Sequence, residues 1–118
     1  MNSYKDLLVF QRSYKLAVSI YRFTKGLPQD ERYGMISQLK RAATSIPLNI
    51  AEGYGKDDSK RELMRFLKMS KGSCEELSVL LDLSKDLEYL EEKDHEKYLK
   101  EIDEIAKMLA GLVKSIKI

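Results

Sequence analysis

Residues 59–84 read SKRELMRFLKMSKGSCEELSVLLDLS, and within them Leu63, Leu67, Ser70, Cys74, Leu77, Leu81 and Ser84 follow one another at alternating steps of four and three. That spacing keeps them on one narrow seam of an α-helix, the pattern by which helices pack side by side at a shallow angle. The small residues Ser70, Gly72, Ser73 and Cys74 allow a neighbouring helix to come close. The helix starts near Ser59: Asp57, Asp58 and Ser59 supply N-cap side chains, and Glu62, three residues after Ser59, completes a capping box.

Working outward, the same four-three spacing returns in Tyr98, Ile102, Ile105, Leu109, Leu112 and Ile116, after an acidic stretch that follows Asp86-Leu87-Glu88-Tyr89. Upstream, Met35, Ile36, Leu39, Ala42, Ala43, Ile46 and Ile50 recur at helical spacing and end at Gly53-Tyr54-Gly55. Pro47 sits inside this segment; it has no amide hydrogen and crowds the carbonyl four residues back, so a kink is predicted near Thr44–Ile46. Gly26-Leu27-Pro28 stops the first helix and opens the second, with Asp30 and Glu31 near its positive end. From Leu8 to Lys25 there is no proline or glycine, and the apolar residues from Val9 to Phe23 cover an arc of roughly 220°. So broad a surface predicts a helix that sits deep or meets another subunit. Four helices with short connections give an all-α, antiparallel up-down-up-down four-helix bundle, one domain over residues 1–118.

At 118 residues the chain can bury one real core, and 34% charged against 43% hydrophobic residues is a globular balance. No apolar run approaches the roughly 20 residues of a membrane span, and no leader-like segment opens the chain, so a cytoplasmic protein is expected. A single cysteine, Cys74, suits a reducing compartment and reads as a core residue. The net charge of +2 hides an asymmetry: residues 1–71 carry +7 and residues 72–118 carry −5. Such a division implies an anionic partner for the basic half, head-to-tail complementarity between copies, or simply solvated faces.

Catalytic readings fail on missing groups. His95 in Glu92-Lys93-Asp94-His95 matches one Glu-x-x-His metal-ligand pair, but the sequence has no second histidine. Gly53-Tyr54-Gly55-Lys56 lacks the flanking residues of a phosphate loop, since Ile50 and Asp57 stand where a glycine and a Ser/Thr are needed. Neither Glu75-Glu76 nor Glu91-Glu92 points both carboxylates one way, and Cys74 has no histidine base at helical spacing. The expectation is a non-enzyme without metal or cofactor.

One constellation remains. Lys60, Arg61, Arg65, Lys68 and Lys71 span an arc of about 140° on helix three, opposite the packing seam. Together with Lys56 and with Lys40-Arg41 on helix two, they form a candidate track for a phosphate backbone. The competing reading is an ordinary solvated face, since Asp57, Asp58 and Glu62 lie close by.

Residues 32–56, RYGMISQLKRAATSIPLNIAEGYGK, resemble the signature of bacterial four-helix-bundle proteins encoded within intervening sequences of 23S ribosomal RNA genes, sometimes labelled ribosomal proteins. The resemblance continues through Phe66-Leu67, Lys71-Gly72-Ser73 and Glu75-Glu76-Leu77, and begins at Tyr21–Pro28. That family also looks akin to the accessory variability protein of diversity-generating retroelements, a pentameric barrel that partners a reverse transcriptase and nucleic acid. The resemblance implies a homo-oligomer, a pentamer by that kinship, with a basic surface for RNA or DNA. It makes Lys40, Arg41, Lys56, Arg61 and Arg65 candidate contacts and Gly34, Pro47, Asn49, Gly53 and Gly55 architectural. A structural or adaptor bundle with a protein partner is the alternative.

Overall fold

The computed structural model describes residues 3–56 and 59–117. After a 3₁₀ turn at Tyr4–Asp6 come four helices: α1 (Leu8–Thr24), α2 (Ser37–Tyr54), α3 (Lys60–Asp86) and α4 (Glu92–Ser115). Among the described residues there is no strand, and no helix is long and apolar enough to cross a membrane. The seam of α3 is the centre of the core: Leu67, Ser70, Cys74, Leu77, Leu81 and Ser84 are buried, packed with Leu39, Ile46 and Ile50 of α2 and Ile105 and Leu109 of α4. Burying each such Leu or Ile side chain contributes about 1.5–3 kcal/mol, which offsets the entropy of fixing long helices.

Contacts give the direction of each helix. The Ser70 hydroxyl donates to the Ile46 carbonyl at 2.8 Å, while Gly53 lies against Phe66 and Arg41 faces Glu76, so α2 and α3 run antiparallel. Between α3 and α4, Asp82 meets His95 at 2.7 Å at one end and Lys68 borders Val113 at the other. Between α1 and α4, Arg12 bonds Glu104 at 2.6 Å and Ser19 meets the Tyr98 hydroxyl at 2.8 Å, again antiparallel.

The second helix does not begin directly after Pro28. Gln29–Glu31 form a 3₁₀ turn, Arg32–Ile36 a wider π-type turn, and regular α2 starts only at Ser37. The cause is Glu31, whose carboxylate accepts from the Met35 amide at 3.2 Å and from the Tyr89 hydroxyl at 2.8 Å, tying this turn to the α3–α4 loop. Gly34 makes it possible: its φ of −110° and ψ of −107° are not helical, and a Cβ there would lie 2.9 Å from the Glu31 carboxylate.

α2 is continuous across the buried Pro47. Around it, the Asn49 amide donates to the Ser45 carbonyl at 2.8 Å, and Ser70 bonds the carbonyl of Ile46. At the start of α3, Ser59 caps as expected, accepting from the Glu62 amide at 3.2 Å; Asp57 and Asp58 lie outside the described residues. α3 ends in a Schellman turn, Tyr89 N–H to Ser84 carbonyl at 2.8 Å, with Glu88 at φ 66° where glycine is usual.

Candidate nucleic-acid interface

Because the seam of α3 faces inward, its opposite face is open along the whole helix. Lys60, Arg61, Arg65 and Lys68 are exposed there and Lys71 is half-buried. Their electrostatic settings differ. The Arg65 guanidinium forms two 3.0 Å bonds with the Glu62 carboxylate and stacks 4.5 Å from the centre of the Phe66 ring. The hydrogen bonds from Arg65, helped by Lys56, hold Glu62 below the usual carboxylate range. Lys60, Arg61, Lys68 and Lys71 have no carboxylate within ion-pair distance among the described residues.

The candidates outside α3 separate. Lys56 lies across the same Phe66 ring, 5.4 Å from its centre, and 3.5 Å from Glu52, so it joins the Arg65 end of the stripe. Arg41 faces α3, with its guanidinium 3.9 Å from Glu76. Lys40 turns the other way, with its ammonium 4.9 Å above the ring of Tyr21 on α1. One helical step of about 100° divides these two neighbours between the α3 and α1 sides of α2.

α4 adds a cation that the sequence reading left out. Lys68 and Lys71 border a shallow groove whose other wall is α4, at Ala110 and Val113, and Lys71 also lines an adjoining cleft with Lys107. Lys107 is occupied, 3.1 Å from Asp103, but Lys114, seven residues on, returns to the same side of α4 and is exposed. The seven-residue spacing of Lys107 and Lys114 carries this signal in the sequence, beneath the net −5 of residues 72–118.

The other sequence-flagged groups have structural surroundings. Cys74 is buried, and desolvation pushes its thiol up to about 12, far from a reactive thiolate. The His95 ring contacts Asp82 and joins α4 to α3. Arg12 is held by Glu101 and Glu104, and its pKa is raised by the hydrogen bonds it donates to these carboxylates.

The apolar arc of α1 divides in two. Val9, Leu16, Ala17 and Ile20 are buried, whereas Tyr14, Val18 and Tyr21 are exposed. With Pro47 and the exposed Leu48 of α2 these line an open groove of about 580 Å³, rimmed by Arg22 and Lys25. Beyond the cations, the outward face becomes apolar at Val79 and Leu83 of α3 and at Leu87, its C-cap, which are 58%, 46% and 51% exposed.

Compared with known proteins, residues 5–111 match the family described as 23S rRNA-intervening sequence protein. A 1.70 Å crystal structure of a protein of unknown function, from the S23 ribosomal protein family of Bacteroides thetaiotaomicron VPI-5482, superposes with a TM-score of 0.80. It is 26% identical, over 92% of this chain and 100% of that one. No curated protein matches. A match across nearly the whole sequence, together with a shared four-helix architecture, fixes the assignment: the chain belongs to the 23S rRNA-intervening sequence protein family.

Proposed function

We propose that the protein is a non-enzymatic, oligomeric helical bundle that binds RNA or DNA electrostatically through the outer face of α3, with Lys40 not among the contacts. The observation that carries this is the row Lys60, Arg61, Lys68 and Lys71, which points outward without carboxylate partners among the described residues. Across α4, Lys114 extends it. Lys60 to Lys71 spans about 16 Å at 1.5 Å per residue, long enough for successive phosphates of a strand to lie along it. Contacts of this kind read the backbone and not the bases.

The test is titration of fluorescein-labelled single-stranded RNA with the protein at several potassium chloride concentrations. Binding that weakens steeply with salt supports the proposal; no binding at the lowest salt overturns it. The groove between α1 and α2 favours a second reading, a structural or adaptor bundle with a protein partner, because exposed aromatic and aliphatic side chains gathered in one concavity are a common contact surface. By kinship with the retroelement accessory protein, a pentamer is the proposed assembly and a reverse transcriptase a candidate partner.

A further inference from the structure

We infer that copies of this chain join head to tail, the outer stripe Val79–Leu83–Leu87 of one copy seating in the α1–α2 groove of the next. The inference rests on the oligomeric reading above and names the surfaces that would carry it. Both surfaces are apolar and open: Leu83 and Leu87 on the stripe are 46% and 51% exposed, Tyr14 and Leu48 on the groove 58% and 65%.

Their rims carry opposite charge. The groove is lined by Arg22 and Lys25 and by no carboxylate. Beside the stripe stand the exposed Asp82 and Asp86, one residue before Leu83 and Leu87 in turn. Asp82 contacts His95 of α4, while Asp86 has no ion-pair partner among the described residues. Lys85, the cation between them, is 3.6 Å from Glu92.

Their lengths agree as well. Val79, Leu83 and Leu87, at steps of four, form a ridge about 12 Å long, and the exposed row Tyr14–Val18–Tyr21 runs about 10 Å along α1. A ridge of residues four apart is the element that packs into the furrow between two helix rows. Joining two different patches makes a heterologous contact, which repeats from copy to copy and closes a ring where the rotation between copies permits. Because the stripe is on the second half of α3, this assembly leaves the cations of the first half uncovered.

The test uses two exposed positions whose replacement leaves the core intact, Leu83→Asp on the stripe and Leu48→Asp in the groove, with helicity checked by circular dichroism. Size exclusion with light scattering should find the unaltered protein assembled and each variant monomeric at micromolar concentration. Mixed in equal amounts, the two should form a 1:1 dimer and stop, since only one stripe and one groove remain competent. Either variant keeping the parent mass, or a mixture that stays monomeric, overturns the inference. A parent that is itself monomeric overturns the oligomeric reading too, a result distinguishable from a parent that assembles and ignores both substitutions. As a second arm, Lys25→Asp and Asp86→Lys should each weaken assembly roughly tenfold and together restore it; no recovery in the double variant would show that this charge pairing is wrong.

Discussion

Replacing Lys68 and Lys71 together by glutamine isolates the charges on which nucleic-acid binding is argued to depend. Lys68 is exposed and Lys71 borders the groove between α3 and α4, and neither has a carboxylate partner among the described residues, so their removal costs no ion pair. With Lys60 and Arg61 they are the four cations of α3 without a carboxylate partner among the described residues. Each phosphate neutralised on a single strand adds about 0.7 to the slope of log affinity against log salt, so four give a slope of about −3. Raising salt fourfold should then cost roughly 50-fold in affinity, and roughly sevenfold once two of the four are gone. The halving of the slope does not depend on how many copies touch one strand. Arg65→Gln is the control: that guanidinium is already committed to both oxygens of Glu62 and to the face of Phe66, so its loss should lower affinity while leaving the slope nearly unchanged. Fluorescence anisotropy of labelled RNA across a potassium chloride series reads both quantities. A double variant with the parent slope, or an Arg65 variant that lowers the slope as much, would refute the reasoning.

Gly53→Ala should destabilise by about 1–2 kcal/mol even after the gain in helix propensity, lowering Tm by roughly 4–8 °C, because its Cβ would stand 3.0 Å from the Phe66 Cβ and 3.2 Å from Leu63 Cδ1. Gly72→Ala, with nothing within 4 Å of the new Cβ, should instead raise Tm by a few degrees; equal signs in a thermal melt would disprove the close approach of α2 to α3. Cys74 should resist alkylation at pH 8 until the protein unfolds. With its folded pKa raised to about 12 from an unfolded value near 8.5, unfolding releases a proton between those limits, so stability falls as pH rises through that window. Cys74→Ala should flatten that fall in alkaline urea titrations. Pro47→Ala returns an amide hydrogen to the Ala43 carbonyl and should straighten α2; an unchanged helix axis in a crystal structure of the variant would remove Pro47 as a source of curvature.

The α3 seam was legible because seven residues at steps of four and three leave a helix only one buried face, and Leu67, Ser70, Cys74, Leu77 and Leu81 are all almost fully buried. The opening of α2 was not legible. Pro28, Asp30 and Glu31 are ordinary helix-start residues, and what changes the outcome is a carboxylate drawn toward the Met35 amide and Tyr89, fifty-eight positions away in sequence. Glu88 hides for a related reason: the Schellman hydrogen bonds hold it at positive φ although nothing in its identity favours that region. On the candidate interface, the stripe on α3 followed from helical arithmetic. That Lys40 and Arg41 separate did not, since it depends on which side of α2 each neighbouring helix occupies. The pairing of Arg65 with Glu62 was available at a spacing of three, and it removes one member from the count of available charges.

The outer face of α3 therefore changes character along its length, cationic from Lys60 to Lys71 and apolar with acidic neighbours from Val79 to Leu87. If the second half joins copies, the first half of every copy is presented outward in the same way around the assembly. A single strand that touches one stripe is then held near the next, and linked contacts strengthen binding by far more than one patch does alone. Leu83 lies twelve residues beyond Lys71, about 18 Å along the helix, too far to touch a phosphate held there. Leu83→Asp should nonetheless weaken binding of a long RNA by about 10²-fold, while binding of an oligonucleotide short enough for one copy changes little. Equal losses for long and short RNA would mean that the substitution acts through charge alone. No loss for either would mean that one copy is the whole binding unit, and that assembly serves some other purpose than gathering the lysines.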